Sequence, residues 1–327
     1  MGIINLIINL AIKALIFPGL VFIMAILMFA IWFERKMWAR VHLRIGPLHV
    51  GKYAGILQPI ADFLKFAGKE TIIPKEADKL FFQITPILAV LVAGLSLAVI
   101  PFSENWIVFN FNLSLLFVLA VYSLFPIIIL LTGWASNNKY SFIGALRAVF
   151  QLLAYWVPLS LSMLGVVMIA QSLSLVSIVN AQSKFWFILL QPLGFLVCFI
   201  AVLAESERTP FDIPEAEGEI IWGWMTEYTG INFGLLMVAN YLRLYIGTLI
   251  LTTLFLGGWL GPGFLPSIAW IIIKSLIVLT LIIIVKTSFA RIRMDQLLRI
   301  GWRILIPLAI ANLVLTLGLL KLFPSII

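Results

Sequence analysis

The sequence predicts an all-α integral membrane protein, and three observations carry that prediction. The 327 residues are 63% hydrophobic and 11% charged, with a mean hydropathy of +1.13, whereas soluble domains lie near half apolar and a quarter charged. Eight continuous apolar stretches approach the ~20 residues a helix needs to cross a bilayer. Lys and Arg gather in alternate connections between them, which sets membrane orientation and does not make a basic face for nucleic acid.

The eight expected spans are roughly 8–33, 81–102, 113–135, 148–170, 185–204, 233–256, 264–285 and 304–323. They are continuous rather than alternating, which excludes a spanning β-barrel. The first lacks a basic leading region and a small-residue cleavage site, so no cleavable signal peptide is expected. The whole chain, 1–327, reads as a single polytopic membrane domain. Its two notable connections are a long first loop, 34–80, and an acidic loop, 205–232.

Of 22 Lys and Arg, nine lie in 34–80, two in 136–147, one in 205–232 and five in 286–303. By the positive-inside rule these odd-numbered loops face the cytoplasm and both termini face outside, as in a multi-pass protein of the inner, or cytoplasmic, membrane. Every acidic residue except Glu104 falls on the same side, so the chemistry is one-sided.

Within the first loop, LQPIADFLKFAGKE (57–70) has helical periodicity. Leu57, Ile60, Phe63, Leu64 and Ala67 share one side, and Gln58, Asp62, Lys65 and Lys69 fall largely on the other. Pro59 suits a first helical turn. The pattern fits a helix lying in the interface plane, bordering an opening for a lipid-like molecule. It fits a helix packed on a soluble partner equally well.

The single Cys198 lies in an apolar run and allows no disulfide within the chain. His42 and His49 share the first loop without ligand partners, and no Cys/His cluster has metal spacing. No metal site is expected. There is no Gly-rich phosphate loop and no internal repeat.

The densest polar feature is 204–228, AESERTPFDIPEAEGEIIWGWMTEY, with seven of the fourteen acidic residues and one base, Arg208. Glu205 ends an apolar helix, and Thr209-Pro210 and Ile213-Pro214 break its continuation. Glu215, Glu217 and Glu219 crowd together, and Glu227 follows. Crowded carboxylates near low dielectric raise one another's pKa and can hold or pass protons. A solvated acidic tract would seldom be interleaved with Phe211, Ile213, Ile220, Ile221, Trp222 and Trp224.

Elsewhere, Glu34-Arg35-Lys36 ends the first apolar segment. Lys36 reads as a snorkelling residue, whereas Glu34 serves no topological purpose and can begin a polar path. Arg243 and Lys274 lie within apolar spans, where charge is costly and points to a function and an interior partner. Lys13 and Lys286 are close enough to helix ends to snorkel.

Five blocks together carry a family resemblance. They are ERKMWARVHLRIGP (34–47), LQPIADFLKFAGKETIIPKEADK (57–79), WASNNKYSFIGALRAVFQ (134–151), AESERTPFDIPEAEGEI (204–220) with its trailing TEY, and RIRMDQLLRIGWRILIPLAIAN (291–312). With them the chain resembles the H subunit of complex I, the NADH–quinone oxidoreductase membrane subunit called subunit 1 in mitochondria. That family also has eight core helices.

The resemblance implies a subunit of a multisubunit NADH–quinone oxidoreductase-type translocase with no catalytic residue and no redox cofactor of its own. Such a subunit joins the peripheral electron-transfer arm to the membrane arm and forms most of the entrance and lining of a quinone chamber. The chamber's charge state is linked to proton translocation. A quinone or related lipophilic acceptor is the substrate. The implied partners are peripheral-arm subunits carrying Fe–S clusters, small membrane subunits, antiporter-like pumping subunits and membrane lipid, with no nucleic acid.

By matched positions, Glu34, Arg35, Arg44, Asp62 and Lys65 would lie near the entrance, with Arg208, Phe211 and Asp212 in the chamber. Glu215, Glu217, Glu219, Glu227 and Tyr228 would couple it to protons, and Glu205 would start the proton path. Arg291, Arg293 and Asp295 belong to the last cytoplasmic loop, where docking to the peripheral arm is expected.

Two departures stand out. Where the family pattern runs Tyr-Glu-Val-Pro, this chain has Tyr155-Trp156-Val157-Pro158, and where it runs Ala-Glu-Tyr, this chain has Ala239-Asn240-Tyr241. Two expected membrane carboxylates are therefore absent, which leaves another acceptor or another ion open. The alternative is an equivalent subunit of a membrane-bound hydrogenase, a sulfane reductase or a phenazine-linked complex. A self-sufficient secondary transporter would show inverted halves with paired broken helices, and none is visible. A passive membrane anchor gives no reason for seven acids in one loop.

Overall fold

The computed structural model describes residues 13, 15, 17, 19–51, 53–104, 106–214 and 217–322, with the backbone alone at Glu217. All regular structure among them is helical. In chain order the helices are α1 (Leu20–Val41), α2 (Gln58–Gly68), α3 (Lys79–Leu97), α4 (Ser114–Tyr122), α5 (Phe125–Ala135), α6 (Lys139–Ala170), α7 (Leu175–Ala181), α8 (Phe187–Leu190), α9 (Pro192–Glu205) and α10 (Glu217–Ile220). A 3₁₀ turn (Gly223–Met225) leads to α11 (Gly230–Phe255) and α12 (Ser267–Ser288). Then α13 (Met294–Arg299) runs through a π turn (Ile300–Leu305) into α14 (Ile306–Leu322).

Six of these helices, or continuous pairs of them, are long and apolar enough to cross a membrane: Lys79–Leu97, Ser114–Ala135, Lys139–Ala170, Gly230–Phe255, Ser267–Ser288 and Met294–Leu322. The expected first span, 8–33, lies partly outside the described residues. Its helix runs on to Val41, so Glu34-Arg35-Lys36 sits inside α1 and not at its end. The expected fifth span, 185–204, is divided into α8 and α9 at Gln191, because the residue before Pro192 is pushed out of the α region. Between α4 and α5, Pro126 has no N–H to offer the carbonyl of Tyr122, and the helix pauses at Ser123 and Leu124.

The longest helix, α6, has 32 residues, a rise of about 48 Å at ~1.5 Å per residue. That exceeds a hydrocarbon core of ~30 Å, so α6 projects beyond it or tilts. The Asn138 side chain caps its start by accepting from the Tyr140 N–H. Helices α5, α9 and the last helix pack around α6, and α11 packs on α3 and α12. At Gly144 the backbone of the 3₁₀ turn comes so close that a Cβ would meet Gly223 Cα at 2.7 Å and Trp224 N at 2.9 Å. A glycine here lets the end of the acidic segment lie directly on α6.

All four odd-numbered connections meet at one end of the bundle. Asn137 donates to the Glu76 carbonyl at 3.1 Å, and the Ile72 N–H donates to Thr229 Oγ1 at 3.0 Å. Asn138 donates to Glu227 at 2.5 Å, and Arg291 donates to Asp212 at 3.0 Å. The other connections meet at the opposite end, where Ser114 donates to the Leu173 carbonyl and Gln182 to the Thr253 carbonyl.

At that opposite end Lys274 has a structural task. Its Nζ donates to the carbonyls of Leu256 (2.6 Å), Gly258 (3.2 Å) and Leu260 (2.5 Å), beneath the Trp186 ring. It therefore satisfies the carbonyl-rich segment that follows α11, with no acidic partner among the described residues. Lys274→Met leaves these carbonyls without their donor. At about 1–3 kcal/mol per unsatisfied buried group, the variant is expected to lose fold stability, read as a lower midpoint for heat-induced loss of the assembled protein from detergent.

Candidate functional site

The end of α9 and the turn that follows carry four consecutive residues facing two ways. Glu205, Ser206 and Glu207 are buried, and Arg208 is partly so. The helix stops in the left-handed conformation, with Glu207 at φ 51°. That position usually takes Gly or Asn, so a glutamate there has to be held by its side chain.

The side chain of Glu207 reaches Arg243 of α11. Oε1 and Nη2 are 3.0 Å apart, and both side chains are only 1% exposed. Trp224 Nε1 donates to the other oxygen of Glu207 at 3.3 Å, and the guanidinium lies over the Phe125 ring. Tyr122 donates to the Arg243 carbonyl at 2.9 Å. Glu205 stands within electrostatic reach of the same arginine, and its Oε1 is buried without a hydrogen-bond partner among the described residues. Sequence reasoning misses Glu207 as an individual residue, although it belongs to the acidic segment. The interior charge at Arg243 does signal a partner, but spacing along the chain does not tell which acid it is.

On the other side of the turn, Arg208 lies 3.3 Å from Glu34 and stacks over the Tyr241 ring. Lys286, near the end of α12, forms a short ion pair with the same Glu34 oxygen. It is thus not a snorkelling residue: its stem is drawn inward to a buried carboxylate. The Tyr241 hydroxyl lies close to the same carboxylate. Thr209 ties the turn to α12 by donating to the Lys286 carbonyl at 2.7 Å.

Of the residues expected at the entrance, Arg35 and Asp62 join α1 to α2 at 2.5 Å, with Lys65 3.5 Å from the same carboxylate. Burial acts to raise the pKa of Asp62, but the hydrogen bond and charge of Arg35, with Lys65, bring it below its ordinary value. The face of α2 bearing Ile60, Phe63 and Leu64 is exposed, turned away from the rest of the chain. Arg44 is exposed and stacks on Trp38.

A cavity of about 500 Å³ lies at the C-terminal end of α2, lined by Phe66, Lys69, Trp222, Tyr228 and Phe233 among others. Of the expected site residues whose side chains are described, only Tyr228 lines it. Its ring stacks on Phe82 at 4.1 Å, and its hydroxyl meets Thr85 and the Thr132 carbonyl, both at 3.2 Å.

Phe211 is buried edge-on to Tyr155. Gln151 locks this stretch by donating to the carbonyls of Ala204 and Phe211, both at 2.8 Å. Burial raises the pKa of Asp212 despite the opposing charge of Arg291. Glu219 is exposed and pairs with Arg147, while Arg293 and Asp295 face each other at 3.4 Å on the surface. Glu215 and the side chain of Glu217 lie outside the described residues. No cluster of His, Cys, Asp and Glu able to hold a metal occurs among the described residues.

Two buried ion clusters, joined by one tight turn at a bundle end where all the charged loops meet, are a specialised arrangement. The family profile described as NADH dehydrogenase matches residues 13–317. The chain belongs to this family. Among its curated relatives, the NADH-quinone oxidoreductase H subunit of Carboxydothermus hydrogenoformans is 46% identical over 292 residues, covering 88% of this chain and 83% of that protein. The corresponding H subunit of Dehalococcoides mccartyi strain CBDB1 is 48% identical over 294 residues, 90% of this chain and 82% of the relative. That of Bacillus mycoides is 44% identical over 293 residues, covering 89% and 88%. Membership of this oxidoreductase subunit family and the six apolar helices agree on a membrane protein.

Proposed function

We propose that this member of the NADH dehydrogenase family is the coupling subunit of a redox-driven ion pump of the complex I type. In this reading it crosses the cytoplasmic membrane eight times, with α1 and α8–α9 as the two spans added to the six long ones. The end carrying 34–80, 136–147, 205–232 and 286–303 faces the cytoplasm, with both termini outside. That end receives the Fe–S-bearing peripheral arm, with Arg291, Arg293 and Asp295 at the docking surface. Small membrane subunits and antiporter-like subunits adjoin it in the membrane. The exposed apolar face of α2 lies in lipid and borders the entrance through which a quinone reaches the chamber.

The observation that carries this reading is the pair of buried ion clusters, Glu34–Arg208–Lys286 and Glu207–Arg243, joined back to back by residues 205–208. Placing such charges in an apolar bundle costs several kcal/mol per ion before pairing. Neither a passive anchor nor a topology signal requires that expense. Clusters so placed respond to the charge on a quinone during its reduction, because the low dielectric transmits the field. Glu205 then begins the path by which protons leave toward the pumping subunits, with Glu215, Glu217, Glu219 and Glu227 between the quinone and that path.

The test uses membranes from cells expressing the complex with Glu215→Gln or Glu217→Gln. Both variants are expected to assemble normally and to lose quinone reduction or proton pumping. Unchanged coupled activity in both would overturn the reading.

A further inference from the structure

Glu205, Glu207 and Arg243 are three ionisable side chains with one positive charge to share. All three residues are buried, at 3%, 2% and 2% exposure. With both acids ionised the group carries a net negative charge in apolar surroundings, and one proton makes it neutral. The two carboxyls are not equivalent. Glu207 has Arg243 at 3.0 Å and accepts from the Trp224 N–H at 3.3 Å. Glu205 has neither contact among the described residues, and its Oε1, like Glu207 Oε1, has no hydrogen-bond partner there. Among the described residues Tyr122 of α4 lies within electrostatic reach of Glu205 and Arg243, with Cys198 of α9 beside Tyr122, and neither supplies a positive charge.

We infer that the three residues hold a single exchangeable proton on Glu205, with Arg243 as the positioning residue that decides where it sits and Glu207 as the carboxylate that competes for Arg243. The inference deepens the pumping role proposed above, and its relevance to pumping rests on that reading. When Glu207 holds the arginine, Glu205 keeps its proton. When the arginine swings toward Glu205, that proton is released. Glu207 and Arg243 thereby supply charge control within the membrane in a chain that has Trp156 and Asn240 at the two positions where acids are expected.

Dicyclohexylcarbodiimide adds to protonated carboxyls in apolar surroundings and reads the arrangement without turnover. The assembled complex in native membranes is treated across a pH series, and the modified residues are located by peptide mass spectrometry. At pH 7, where an ordinary glutamate of pKa ~4.3 is ionised, Glu205 is expected to be modified and Glu207 spared. Modification of Glu207 in preference to Glu205, or of neither, would overturn the inference.

Glu207→Gln releases Arg243 to Glu205, so modification of Glu205 at pH 7 should fall at least about tenfold, the ratio for a one-unit change in pKa. Glu207→Gly, which also relieves the left-handed backbone, should show the same loss. Undiminished modification of Glu205 in an assembled variant would overturn the inference. If neither variant assembles, the wild-type comparison of the two glutamates decides. Because the labelling needs no electron transfer, its outcome is separable from that of the pumping test.

Discussion

Arg243→Gln is expected to destabilise the assembled protein by about 3–5 kcal/mol, the usual cost of removing one partner from a buried pair. The variant leaves Glu205 and Glu207 together in apolar surroundings with no cation, and Phe125 and Trp224 offer no replacement charge. The double variant Glu207→Gln/Arg243→Gln removes the isolated charge and should recover much of that loss. Glu207→Gln alone should cost less than Arg243→Gln, because Glu205 is still there to meet the arginine. The check is a double-mutant cycle on heat-induced loss of the complex in detergent, run near neutral pH. Strict additivity of the two single substitutions would show that the pair is not energetically coupled.

Glu34→Gln is expected to have an effect of similar size, about 3–5 kcal/mol, by the opposite imbalance. Lys286 and Arg208 both converge on Glu34, and an amide leaves two half-buried cations facing each other. Because Glu34 belongs to α1, Lys286 to α12 and Arg208 to the acidic segment, the variant loosens three elements at once. Lys286→Met should be milder, since Arg208 still pairs with Glu34, and adding it to Glu34→Gln should restore part of the loss. The same heating assay reads all three variants. A Glu34→Gln protein as heat-resistant as the parent would remove this cluster from the account.

The helical class and most of the long helices are legible in the sequence, because a chain this apolar has few other ways to satisfy its backbone in lipid. Boundaries are less so. Asn138 starts α6 well before the expected span, and Pro192 divides the fifth span at Gln191. Both are local effects of a single side chain, which the long apolar runs obscure.

The site is legible at the level of segments. The acidic stretch, Glu34 and Arg243 are all visible as charges in costly places. Their pairing is not, since Glu34–Lys286 and Glu207–Arg243 join residues far apart in sequence and only the fold brings them together. Lys274 and Lys286 show the same limit in reverse. Each is a lysine in or near an apolar span, yet one caps backbone carbonyls and the other neutralises a buried acid.

The most direct measurement is proton uptake during a single turnover of quinone reduction, followed with a pH dye on the reconstituted complex carrying wild-type Glu205 or Glu205→Gln. The account predicts that the wild type takes up fewer protons than end on the quinol, because Glu205 releases the one it holds, and that the variant takes up the full number. Identical uptake by the two, with quinone reduction proceeding in both, would contradict it.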